Sequence, residues 1–485
     1  MKKKIKRTAF ILISLLTAAA TAISVSGCAG QLSSETETTA ASDTTAAATL
    51  SEATQAVTQT TTAAQSKRLS EVDITINDTL DNSEDGGHAI TADGESADYS
   101  HTLVTKTGDS SGDNADFYGE NAAIFATNGG TLNLSNMVVK TDGTHANAVF
   151  SYGEGTTVNI SDSYINTTGN CSGGLMTTGG GTMNAENLTI TTSGNSSAAI
   201  RSDRGGGTVN VSGGYYATSG KGSPVVYSTA DITVSDAEMV STASQGIVVE
   251  GKNSVTLNNV SLTADNNTKN SDKSSYYQAV MIYQSMSGDA AQGLSGFTMN
   301  GGTLVNKNGD VFFVNNTATE INLSNATITN ESDGVFLRAA AAGWGKEGSN
   351  GGQVTLTAAN QSINGDVLVD SVSTLNLYLK SGSSFTGAVN PDGKEGEVYV
   401  AIESGSTWTL TADSYVSSLT CDADSIVLNG HKLYVNGEEY TEGTASSGQA
   451  IEIKVSESSG GGHEAPPDGK GGGNKPEGNP PAKPD

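Results

Sequence analysis

The sequence predicts an all-β molecule: a right-handed parallel β-helix with three strands per coil and about thirteen coils, set between a disordered N-terminal linker and a disordered C-terminal tail. Three observations predict it. A short phrase recurs, as Thr131-Leu132-Asn133-Leu134, Thr157-Val158-Asn159-Ile160, Thr182-Met183-Asn184-Ala185 and Thr208-Val209-Asn210-Val211. Its first apolar positions, from 132 through 158, 183, 209 and 232 to 255, are 26, 25, 26, 23 and 23 residues apart. The composition, with 59 Gly, 35% hydrophobic and only 5% aromatic residues, suits a narrow core rather than a broad globular one.

The first 27 residues read as an address. Lys2, Lys3, Lys4, Lys6 and Arg7 precede a largely apolar stretch, Ala9–Val25, and small residues follow. That order is a secretion signal. Its end, Val25-Ser26-Gly27-Cys28, resembles the lipobox of bacterial lipoproteins. The resemblance implies cleavage before Cys28 and a lipid on that cysteine. The exported chain would then be held at the extracellular face of the cell membrane of a Gram-positive-type bacterium. Residues 28–68 follow as a linker rich in Ser, Thr, Ala and Glu, without periodicity, which is the composition of a flexible stalk.

Residues 69–442 carry the repeat. After each phrase come two more strand-like pieces, such as Met137–Val139 and then Ala148–Phe150. Three short strands per two dozen residues fit one turn of a three-sided coil, with apolar side chains alternating inward. Stacked coils pair one another's backbones and build a core that no single coil buries alone. Later copies of the phrase drift, at Val354-Thr355-Leu356, Leu375-Asn376-Leu377 and Trp408-Thr409-Leu410. Ile74 and Leu103 fit as two earlier copies, each 29 residues apart up to Leu132. Ile426–Leu428 and Leu433–Val435 are placed to close the far end, which otherwise offers an unpaired edge. Residues 443–485 read as a cap remnant and a Gly/Pro-rich disordered tail.

The body resembles the pectate-lyase-like β-helices of bacterial adhesins and polysaccharide-active enzymes. The resemblance implies either a non-catalytic carbohydrate-binding or adhesive surface protein or, alternatively, a polysaccharide lyase or glycoside hydrolase. The motifs those enzymes use are missing: His88 lies in Gly86-Gly87-His88-Ala89 rather than Gly-His-Gly, and the body has no Arg-x-Lys. The nearest candidate is Arg201-Ser202-Asp203-Arg204, where cations beside a carboxylate would clamp an anionic sugar or act in β-elimination. Its other reading is an ion pair that pins a turn. No catalytic residue is assigned.

Net charge is −27, from 25 Lys+Arg against 52 Asp+Glu, so nucleic acid is not an expected partner. Polysaccharide of host, plant or microbial origin is the expected one. Two surfaces suit it. The residue between the inward anchors gives an outward column of Asn133, Asn159, Asn184 and Asn210 that continues to Thr355 and Asn376. Long connections at Gln284–Gly296 and Arg338–Gly352 flank a short one, Asn315–Thr319, and would wall a notch. Tyr276, Tyr277, Tyr283, Arg338 and Trp344 lie in or beside these loops, where exposed aromatic rings suit sugar faces. Asp109, Asp113, Asp116 and Glu120 form an acidic Gly-containing loop of the kind that holds Ca²⁺, although solvated charge explains it equally. No other cofactor is expected.

Overall fold

A computed structural model describes residues 68–269, 271–393 and 396–458. The signal, Cys28, nearly all of the linker and the end of the tail lie outside the described residues. The body is a parallel β-helix. One coil runs Thr131–Ser135, Val138–Thr141 and Val149–Tyr152, and the next begins at Thr157. Each of the three segments stacks on its counterpart in the next coil, which produces three long sheets of fourteen, ten and eleven strands. In the fourteen-stranded sheet only the last strand, Ser446–Ser447, is antiparallel, which leaves thirteen parallel rungs.

Alternation and register explain the core. Leu132 faces Val158, which faces Met183, which faces Val209, and none of the four is more than 1% exposed. Between the first two segments the chain turns through one residue with positive φ. Asn136, Asp162, Asn187, Gly213, Asp236 and Asn259 fill that place, with φ between 48° and 69°. Only Gly, Asn and Asp visit this region without substantial cost, which is why they recur just after each phrase.

The rung count agrees with the sequence, but three of the expected members lie elsewhere. Leu103 lies in Thr102–Lys106, a strand of the ten-stranded sheet, and Ile74 lies outside any strand. The first rung of the long sheet is Ser96–Ser100. Trp408 belongs to a four-stranded sheet, stacked on Phe385, and the last long-sheet rungs are Glu397–Ile402 and Ser418–Cys421. Alternation alone does not distinguish one face of a triangular coil from another, since every face buries every second residue. A register offset of two also occurs: Asn322 faces Thr357 and then Tyr378, not Thr355 and Asn376. A shift of two keeps the inward set inward, so the phrase hides it.

Both ends of the described chain fold back. Arg68 pairs with Glu238, the Leu69 N–H donates to Thr189 Oγ1 (2.8 Å), and Lys140 pairs with Glu71 (2.5 Å), so the chain enters over the ten-stranded sheet from mid-rod. At the far end Ile426–Val427 and Leu433–Val435 add parallel rungs rather than closing the stack. Antiparallel strands end it, Glu438–Glu439 against Leu433–Val435 and Ser446–Ser447 against Thr420–Cys421. From there a strap runs back over the long sheet. The Asn376 amide and Ile451 backbone exchange two hydrogen bonds (2.8 and 2.9 Å), and Ser458 bridges Gln292.

Candidate functional site

Past its first strand, Ile90–Asp93, the eleven-stranded sheet is largely buried on both sides. Its outward residues Phe125, Phe150 and Met176 form one apolar cluster, and Val248, Met281 and Phe313 form another with Tyr283 and Trp344. The sequence shows the cause: Val280-Met281-Ile282-Tyr283 and Val311-Phe312-Phe313-Val314 are continuous apolar runs, the pattern of a strand covered on two faces.

This burial corrects the aromatic notch. Trp344 and Tyr283 are each 6% exposed and meet edge to face at 5.1 Å, and Tyr276 lies against Phe313 at 5.2 Å. Arg338 stacks 4.4 Å over Tyr276 and pairs with Asp310 at 2.6 Å. Lys269 lies 5.1 Å from the Tyr277 ring. Tyr283, Trp344 and Tyr276 anchor the loops to the sheet, because the strands beneath them carry unmatched apolar surface, while Tyr277 is half-buried within its own loop.

Between the two apolar clusters lies a buried ionic network. Arg201 pairs with Asp203 at 2.7 Å, and the two are 6% and 0% exposed. Asp203 also accepts the Arg204 N–H at 3.0 Å. Arg204 pairs with Asp289 (2.6 Å) and Asp113 (2.8 Å) and lies 3.6 Å over the Phe117 ring. Glu250 accepts hydroxyl hydrogen bonds from Tyr227, Ser285 and Tyr283, the last at 3.0 Å. Burial drives the Asp203 carboxyl up to about 7 against the pull of Arg201. Burial raises Glu250 as well, while its three hydroxyl donors pull the other way. The arginine cluster therefore ties a helical turn, Asp113–Phe117, and the 284–292 connection to the sheet.

The four acidic residues at 109–120 are drawn apart. Asp109 accepts the Thr144 N–H (2.6 Å), which holds its carboxyl below the usual range. Asp113 goes to Arg204, Asp116 to His145 (3.0 Å), and Glu120 accepts the Ser110 hydroxyl (3.1 Å). They do not converge on one point as a calcium site requires. Asp116, His145 and Cys171 do bring ligand atoms within 4.8 Å of one another, but Cys171 already has a partner of its own.

Among the described residues, two open concavities stand out. The notch exists where the loops flank Asn316–Ala318, with a volume of about 610 Å³. Its lining is polar, including Gln284, Gln353, Lys346 and Glu397, and the strap adds Glu452 and Lys454. The second is a shallow groove of about 800 Å³ along the long sheet, from the Ser96–Ser100 rung to the Asp231–Ser235 rung. An amide ladder runs down it. Each Nδ2 donates to the preceding coil: Asn210 to Asn184 (3.0 Å), Asn184 to Asn159 (2.9 Å), Asn159 to Asn133 (2.8 Å), and Asn133 to the Asp98 carboxylate (2.7 Å). Beside it a second outward column carries Ser135, Ser161, Glu186, Ser212 and Ser235. No family model, curated protein or solved structure matches the chain.

Proposed function

We propose that the protein is a non-catalytic carbohydrate-binding or adhesive rod, exported and lipid-anchored through Cys28 at the outer face of the cell membrane. The amide-lined groove carries this reading. Six consecutive rungs present regularly spaced donors and acceptors on an open face, which suits a polymer with regularly spaced hydroxyls. The arginine cluster supports binding rather than catalysis, since Arg201 and Asp203 are spent on each other beneath a loop. A glycan array probed with the protein, with calcium and with chelator, tests the reading. Binding to a polysaccharide class is expected, with no calcium requirement, because the four acidic residues have separate partners. No binding to plant, mucin or microbial glycans overturns it. Anchoring is tested separately: Cys28→Ala should release the protein from the membrane fraction.

A further inference from the structure

We propose that the groove takes a neutral, extended polysaccharide laid along the rod axis, one sugar per coil over six coils; this rests on the glycan-binding reading above and specifies its ligand. Three features point there. The first is spacing. Stacked rungs lie about 4.8 Å apart, so the six span roughly 24 Å. An extended pyranose chain advances by nearly one such step per sugar, so successive sugars meet equivalent amides. A chain crossing the sheet would meet the ladder once and lose that match.

The second is hydrogen-bonding capacity. Each ladder amide in Asn133, Asn159 and Asn184 spends one N–H and one oxygen lone pair on its neighbours. A primary amide has a second N–H and a second lone pair. Each of these three rungs therefore offers a donor and an acceptor side by side, and Asp98 and Thr233 end the column with a carboxylate and a hydroxyl. A sugar hydroxyl is both acceptor and donor, so it satisfies the pair, and the ladder holds the amides in place beforehand.

The third is charge. Among the described residues, the charged ones lining the groove are Asp98 and Glu186, both carboxylates. A uronate chain would meet repulsion and no cation, so neutral sugars are favoured.

The test is calorimetric titration of the full chain with xylo-, cello- and manno-oligosaccharides of two to eight sugars, and with oligogalacturonates of the same lengths. At least one neutral series should tighten tenfold or more between two and six sugars and then level off. Oligogalacturonates should bind at least tenfold more weakly. Asn159→Asp breaks the ladder mid-groove, and Asn210→Ala removes its open end without interrupting the rest. Both should lose binding, the first by tenfold or more, with unchanged circular dichroism. Oligogalacturonate binding as tight as neutral binding overturns the proposal, as does affinity independent of length. Glycan binding that survives both variants sinks the groove assignment and leaves the glycan-binding reading standing. No binding in any series or on the array removes both.

Discussion

Single residues set the conditions of this fold at two kinds of position. At the sharp turn, Asn259 holds φ at 53° and donates to Asp236 at 2.7 Å. A β-branched residue there is strained, so Asn259→Val should cost about 1–3 kcal/mol, read as a lower urea midpoint. Asn259→Gly should keep most of the stability, since glycine adopts this φ freely. Glu250 is the second kind. Its folded carboxyl titrates above the ordinary 4.5, so the native state holds its proton more tightly than the unfolded chain. That stabilises the fold at low pH and is lost as pH rises from about 4.5 through the raised folded value. His88 is shifted down by burial and works in the opposite direction below its ordinary 6.5. The comparison that reads Glu250, together with Asp203, whose carboxyl Glu250 helps to raise, is therefore wild type against Glu250→Gln. The variant should show a smaller drop in melting temperature between pH 5 and pH 8, with His88 common to both.

At the scale of elements, the three faces of one coil do different work. The long sheet alternates apolar and polar residues, and the groove region of its outer side is open. The eleven-stranded sheet carries two apolar clusters on its outer side, with the ionic network between them, and needs a cover, which the helical turn and the long connections supply. Trp344 is the large apolar anchor of the 340–352 connection, and its main-chain oxygen also accepts from Asn350 at 2.7 Å. Trp344→Ala should remove about 3 kcal/mol of local packing. The connection should then be cut early by protease while the rod remains intact, because its backbone bonds to neighbouring coils lie at its ends, from Ala340 to Val314 and from Asn316 to Asn350. Loop lengths located the notch correctly from sequence. That its lining is polar, with the aromatic rings turned elsewhere, was not legible, because a tyrosine or tryptophan in a long loop is equally suited to solvent and to an apolar strand. The continuous runs at 280–283 and 311–314 were the missed signal.

For the whole molecule, stability is nearest-neighbour: each coil pairs chiefly with the one before and the one after. Inside the rod Phe312 meets Phe297 and Phe336, each at 5.5 Å, and the second contact carries packing from one coil to the next. Whole coils should therefore be removable. Thr157 and Thr182 occupy equivalent places, so deleting 157–181 joins Thr156 to Thr182 in register. The shortened protein should keep its β-sheet circular dichroism and lose about 4.8 Å of length by small-angle scattering. Deleting 157–169 removes half a coil and places the wrong segment on each face. That variant should fail to fold cooperatively. Equal behaviour of the two deletions would contradict the stacking.

The sequence by itself determined the solenoid, the three segments per coil, the inward set and the outward asparagine column. All of these follow from a period of two within strands and a period near 25 between coils, which are local properties of the chain. The tertiary structure decided which face each strand joins, where the register shifts by two, and what the loops cover. It also decided the partners of Arg201, Arg204, Asp113 and Asp116, and it laid the strap across Asn376. These depend on contacts between residues far apart in sequence, and a charged or aromatic side chain does not specify, before the chain folds, which distant surface it will meet.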